Sequence, residues 1–274
     1  MSRIVTLLSD FGSQDGYVGA MKGVILGINP RVVPVDISHE IEAHDIMAGA
    51  LVLAGAYAYF PPRTIHLAVV DPGVGGRRRP IIVETSQACF VGPDNGIFTL
   101  IYEREEVIKT VAIENPNFMA PSVSRTFHGR DVFAPAAAHL SLGVPVDEFG
   151  PPVERGAVLN VPQARLDGET AEGEVIHVDR FGNLITNITG DLFNQFVEKG
   201  LEEIRLASHD VAGPYESYEE ACEGELFAVF GSTGLLEISS KRASAHEAWG
   251  LGKGTIVRVT RSPGDETKPW VNRS

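Results

Sequence analysis

The feature that most constrains the fold of this chain is a change of rhythm near Gly168. Before it, short β-branched runs alternate with stretches of helical spacing. After it, short strand-like runs follow one another across turns. In the first part, strands read at 4–8, 32–37, 64–70, 80–84 and 89–91, and helices at 17–28, 44–59 and 131–142. Asn29-Pro30 stops the first helix and Pro61-Pro62 the second; Asp131 is expected to cap the third, which Gly143 ends. Strands alternating with helices imply a mostly parallel sheet covered on both faces. Ligands of such sheets gather at the carboxyl ends of the strands, where Asp10 and Asp71 both fall.

Past Gly168, strands read at 174–179, 184–189, 203–206, 226–230, 235–239 and 255–260, with one helix at 191–199 stopped by Gly200. That spacing fits a small antiparallel sheet or barrel. Residues 151–167 read as a linker. The expected fold class is therefore an α/β N-terminal domain with a mostly parallel sheet, over 1–165, plus a smaller C-terminal β-barrel-like domain over 166–261. The polar tail 262–274 is expected to be disordered.

Charge narrows the partners. Lys plus Arg is 23 against 36 for Asp plus Glu, a net charge of −13. Nucleic acid and anionic membrane surfaces are poor partners for such a chain, whereas a cationic ligand suits it. No apolar run reaches the ~18 residues of a membrane span. Cys89 and Cys222 form no Cys-x-x-Cys pair, and reduced thiols in a cytoplasmic protein are expected. No His, Asp and Glu cluster has metal-ligand spacing, and His39-Glu40 lacks the second histidine of a zincin, so neither metal nor cofactor is expected.

Four clusters carry chemistry. The first is "SDFG" at 9–12, where Asp10 can accept from a ribose diol or merely form an Asx turn. The second is "VVDPGVGGRRRP" at 69–80, which sets Asp71 before a glycine-rich loop and three arginines. It matches neither a dinucleotide fingerprint nor a Walker loop. On its own it also reads as a hairpin with a solvated basic tip. The third is "TFHGRD" at 126–131, with His128 in a loop unusually dense in polar groups. The fourth is "DRFGNLITN" at 179–187, where Phe181 can stack on a flat ring while Asp179 and Asn183 supply an acceptor and an amide. A β-bulge with a turn would look the same.

Taken in order, "LLSDFGSQDGYVGAMKG", "VVDPGVGGRRRP", "VGPDNG", "TFHGRDVFAPAAAHL", "DRFGNLITNI" and "GSTGLLEIS" resemble the S-adenosyl-L-methionine hydrolase (adenosine-forming) family, which is homologous to fluorinase and chlorinase. The resemblance spans residues 4 to about 259. It implies hydrolysis of S-adenosyl-L-methionine to adenosine and L-methionine by water attacking ribose C5′. It also implies a homotrimer with the substrate between the N-terminal domain of one subunit and the C-terminal domain of the next. By this resemblance Asp10 holds the ribose hydroxyls, and Asp71, His128 and an arginine of the 77–79 run handle the water. Spacing from Asp71 favours Arg78, with Arg77 and Arg79 left open. Phe181 and Asn183 face the adenine, Asp179 and Ser232 the methionine end, and Glu237 and Ser240 lie near the nucleoside pocket. Where the halogenases carry tyrosine, this chain has Asp71, and a carboxylate there repels a halide. The competing readings are a non-catalytic nucleoside-binding protein and, less favoured, a halogenase.

Overall fold

A computed structural model describes residues 3–198 and 200–262. It divides into two units, Met1–Asn160 and Val161–Ser274. Of the tail expected over 262–274, residues 263–274 lie outside the described residues.

In the first unit, strands β1 (Ile4–Ser9), β2 (Val33–Ser38), β3 (Thr64–Val69), β4 (Pro80–Thr85), β5 (Ala88–Pro93) and β6 (Val107–Ala112) form one sheet in the order β2-β1-β3-β5-β4-β6. Helices α1 (Tyr17–Ile28), α2 (Ile46–Ala56), α3 (Thr99–Arg104) and α4 (Ala134–Ser141) accompany it. Alternate strand residues explain why both faces are covered. Val5, Leu7, Ile65, Leu67 and Val69 pack with Met21, Ile25 and the alanines of α4. Leu8, Ala68, Val70, Ile81 and Val83 pack with Leu53, Phe98 and Ile101 on the other face.

The β2-β1-β3-β5 pairings are parallel, while β4 runs antiparallel to both β5 and β6. That reversal matters for the site. Because β4 starts at the end of the sheet where β3 stops, residues 70–79 need no crossover helix. They remain at the carboxyl end of β3 and carry the arginines back toward Asp71. Ser9 pairs with Val69, so Asp10 and Asp71 leave neighbouring strands at the same edge.

Two local expectations are corrected. The segment expected as a helix from Asp131 opens instead with a π-type turn, Gly129–Phe133, followed by α4. Asp131 does not cap it: its carboxylate accepts from Arg130 Nε at 2.7 Å and from the Ser124 amide at 2.9 Å. Residues 151–159 are no free linker. The amides of Val153, Ala157 and Leu159 donate to Thr110, Asp94 and Thr99, which ties the strip to the α/β unit.

The second unit is a closed barrel. β8 (Thr170–Val178), β9 (Leu184–Thr189), β10 (Leu201–Leu206), β11 (His209–Tyr215), β12 (Leu226–Phe230), β13 (Leu235–Ser240) and β14 (Ile256–Arg261) join in the order β14-β10-β11-β12-β13-β9-β8, and β14 pairs with β8 to close the ring. The short β7 (Arg165–Asp167) flanks β8. Closure leaves no open edge among the seven ring strands. The interior is filled by Val175, Leu184, Ile188, Ile204, Leu206, Leu236, Ile238, Val257 and Val259. Helices α5 (Gly190–Phe196) and α6 (Ala245–Trp249), capped by Thr189 and Ser244, lie between strands in sequence.

Candidate active site

Three side chains converge at the edge of the α/β unit. Arg78 Nε donates to Asp71 Oδ1 at 2.9 Å and Oδ2 at 3.0 Å, and Arg78 Nη2 donates to Asp71 Oδ2 and, at 2.7 Å, to His128 Nδ1. Both charged side chains are nearly buried, at 9% exposure for Arg78 and 4% for Asp71. The π-type turn supplies the rest of the shell. His128 precedes it, and Phe133 at its end lies 5.2 Å under the guanidinium. Such turns concentrate at functional sites because they re-aim side chains within a helix.

An arginine can only donate, so His128 Nδ1 accepts, and the neutral ring carries its proton on Nε2. In this tautomer the imidazole orients an oxygen by donating to it. Burial and then the Arg78 charge push the His128 pKa below its usual 6.5, against the pull of Asp71, Asp131 and the Ser124 backbone. His128 is therefore neutral at pH 7. Protonation would set a second donor against Arg78 and break the contact. The rate per encounter, kcat/KM, is accordingly expected to hold steady from pH 8 down to about 6.5 and to fall only below it. An acid limb already in force above that point would contradict the assignment.

The other arginines of the run go elsewhere. Arg77 is exposed. Arg79 pairs with Asp94, whose other oxygen accepts the Ala157 amide. The loop itself depends on Gly75, whose φ is +71° and where an added Cβ would run into the Arg125 carbonyl oxygen. Gly75→Ala must therefore part the 70–79 loop from the strip that leads to His128. Turnover is expected to drop on the order of 10²-fold through misplacement alone, with stability down by roughly 1–3 kcal/mol. Steady-state kinetics and thermal melts check both.

Asp10 follows β1 with its side chain 8% exposed. Its Oδ2 accepts from the His44 amide at 2.9 Å, and a carboxylate retains further acceptor capacity for a diol. Beside it, Phe127 meets both Phe11 and Tyr17 edge-to-face, and Phe11, Phe127 and Met21 close on Gly129.

The barrel unit carries a cleft of about 920 Å³ lined by Asp179, Phe181, Asn183, Ser232, Glu237 and Ser240 among others. These six sequence candidates are thus brought together. Asp179 shapes the loop: Oδ1 accepts from the amides of Phe181 (2.8 Å) and Asn183 (2.9 Å), and Oδ2 from the Asn183 side chain (2.9 Å). That leaves Phe181 as an exposed ring beside the cleft, at 77%. Glu237 is buried, and its Oε1 accepts from Tyr218 Oη at 2.5 Å and Ser239 Oγ at 2.9 Å. Burial pushes its pKa up, the two hydrogen bonds pull it down, and the charge of Asp179 adds to the rise. Two coupled carboxylates in one cleft suit a cationic ligand. Tyr218 escapes a reading of the sequence, because its partner lies nineteen positions on, on β13, and the two meet only once the barrel is folded.

A model of the SAM hydroxide adenosyltransferase N-terminal domain matches residues 5–150, and one of the C-terminal domain matches residues 173–258. The chain is 40% identical over 265 residues to a Thermus thermophilus protein named (R)-S-adenosyl-L-methionine hydrolase, covering 94% of this chain and 99% of that one. The structure is similar to that of an uncharacterized conserved protein from Thermotoga maritima, with a TM-score of 0.87, 35% identity, and coverage of 94% of this chain and 100% of that one. A fluorinase of Actinopolyspora mzabensis is more distant, at 25% identity over 94% of this chain and 97% of that protein.

Proposed function

The chain belongs to the SAM hydroxide adenosyltransferase family, and from that membership we propose that it hydrolyses S-adenosyl-L-methionine to adenosine and L-methionine. The observation that carries the mechanism is the Asp71–Arg78–His128 convergence. A water held there is oriented by the His128 Nε2–H, gives up its proton toward Asp71, and attacks ribose C5′. The C5′–S bond breaks, its electron pair goes to sulfur, and methionine leaves as a neutral thioether. No acid is needed for the leaving group. Arg78 stays protonated throughout and stabilises the developing hydroxide. Asp10 holds the ribose hydroxyls, Phe181 and Asn183 meet the adenine, and Asp179 and Ser232 meet the methionine end. Glu237 and Ser240 close the nucleoside pocket.

The α/β unit carries the water-handling groups and the barrel unit carries the cleft. On this reading the protein works as a homotrimer, each site completed by the neighbouring subunit, in the cytoplasm with both thiols free. Light scattering tests the assembly. Incubation with S-adenosyl-L-methionine, followed by chromatography, tests the activity: adenosine and methionine should form in equal amounts. Adding fluoride or chloride should yield no 5′-halo-adenosine, because Asp71 holds a carboxylate at the attacking position. Binding without turnover would leave a nucleoside-binding protein instead.

A further inference from the structure

We propose that His39 is a positioning residue for the ribose end of the site, acting through Ser9 on the loop that carries Asp10. The inference rests on the reading that Asp10 grips the ribose hydroxyls. Four side chains from three elements and the loop after β2 form a chain of hydrogen bonds. Lys22 Nζ on α1 donates to Asp36 Oδ2 at 2.6 Å, and His39 Nε2 lies 3.0 Å from Asp36 Oδ1. His39 Nδ1 lies 2.7 Å from Ser9 Oγ, which in turn accepts from the Phe11 amide at 3.3 Å. The backbone joins in, as the Gly12 amide donates to the His39 carbonyl at 2.7 Å.

The donors and acceptors of this chain agree in direction. A carboxylate at Asp36 accepts only, so His39 Nε2 carries the proton. Nδ1 then accepts from the Ser9 hydroxyl, leaving a Ser9 lone pair for Phe11 N–H. Ser9 is fully buried and the His39 side chain is 10% exposed, so water cannot substitute easily for either partner. The Lys22–Asp36 end is more exposed and matters less. The result is that Asp10 stands between Ser9 and the pair Phe11–Gly12, with Ser9 and Gly12 bonded to His39 and Phe11 bonded to Ser9 Oγ. Its own Oδ2 is held by the His44 amide. A carboxylate fixed on both sides is preorganised for two adjacent hydroxyls.

The test compares binding of adenosine and 2′,3′-dideoxyadenosine to the full-length protein by calorimetry. The wild type should favour adenosine strongly. His39→Phe, which keeps a ring and removes both nitrogens, should lose about tenfold in adenosine affinity with little change for the dideoxy analogue. His39→Asn, which restores an acceptor near Nδ1, should recover most of that loss. Ser9→Ala should reproduce the loss even if His39→Phe folds poorly. In turnover, KM for S-adenosyl-L-methionine should rise more than kcat falls. If Asp10→Asn abolishes the preference for adenosine while His39→Phe and Ser9→Ala keep it, the proposal is overturned alone. If Asp10→Asn keeps the preference, the ribose reading beneath it fails as well.

Discussion

Asp71→Asn is expected to reduce turnover by about 10²–10⁴-fold, the range that a positioned proton acceptor contributes, while leaving adenosine affinity within a few-fold of wild type. The amide has nearly the same shape but is far too weakly basic to take a proton from water. It also presents N–H groups to an arginine that can only donate. Arg78 then loses its bidentate partner in a pocket where both side chains are nearly buried. Removing one member of a buried pair costs about 3–5 kcal/mol when the other charge is left uncompensated. The amide's remaining oxygen lessens this, so the Asn variant should melt lower but still fold. Kinetics, calorimetry with adenosine and a thermal melt separate the two effects. Wild-type turnover in a folded Asn variant would remove Asp71 from the chemistry.

Arg78→Lys should be the second most damaging change, with kcat lower by about 10²–10³-fold, whereas Arg77→Ala should leave kcat within about twofold of wild type. Lysine keeps the charge but not the planar fork. It cannot meet both Asp71 oxygens and His128 Nδ1 together, nor lie flat on Phe133. With Nδ1 released, the histidine tautomer is no longer fixed, and the acid limb of the rate profile should move. Arg79→Ala acts differently, because its partner Asp94 also holds the 151–159 strip through Ala157. Its effect should appear in stability rather than in kcat. A ranking with Arg77 or Arg79 above Arg78 would contradict the geometry.

Much of the fold is legible in the sequence because its strands alternate with helices of clear period. The strand pairing Ser9 with Val69 then brings Asp10 and Asp71 to one edge, as the carboxyl-end rule for such sheets expects. What stays hidden has physical causes. The run of β4 does not announce its direction, yet its reversal is what lets the arginine loop stay short. The six residues of α3 are too few to show a helical period. Asp131 carries the residue type of a helix cap, but its neighbour Arg130 claims the carboxylate. Spacing from Asp71 favours Arg78 among the three adjacent arginines, but Arg77 and Arg79 stay open until it is known which way each side chain turns. His39 looks like half of a metal motif, and its partners Ser9 and Asp36 are visible only once β1 and β2 pair.

The most direct measurement is turnover of S-adenosyl-L-methionine in ¹⁸O-enriched water, with both products analysed by mass spectrometry. Attack of a site-held water on C5′ places one heavy oxygen in the adenosine formed and none in the methionine. Adenosine without the label, or label in the methionine, would contradict the account.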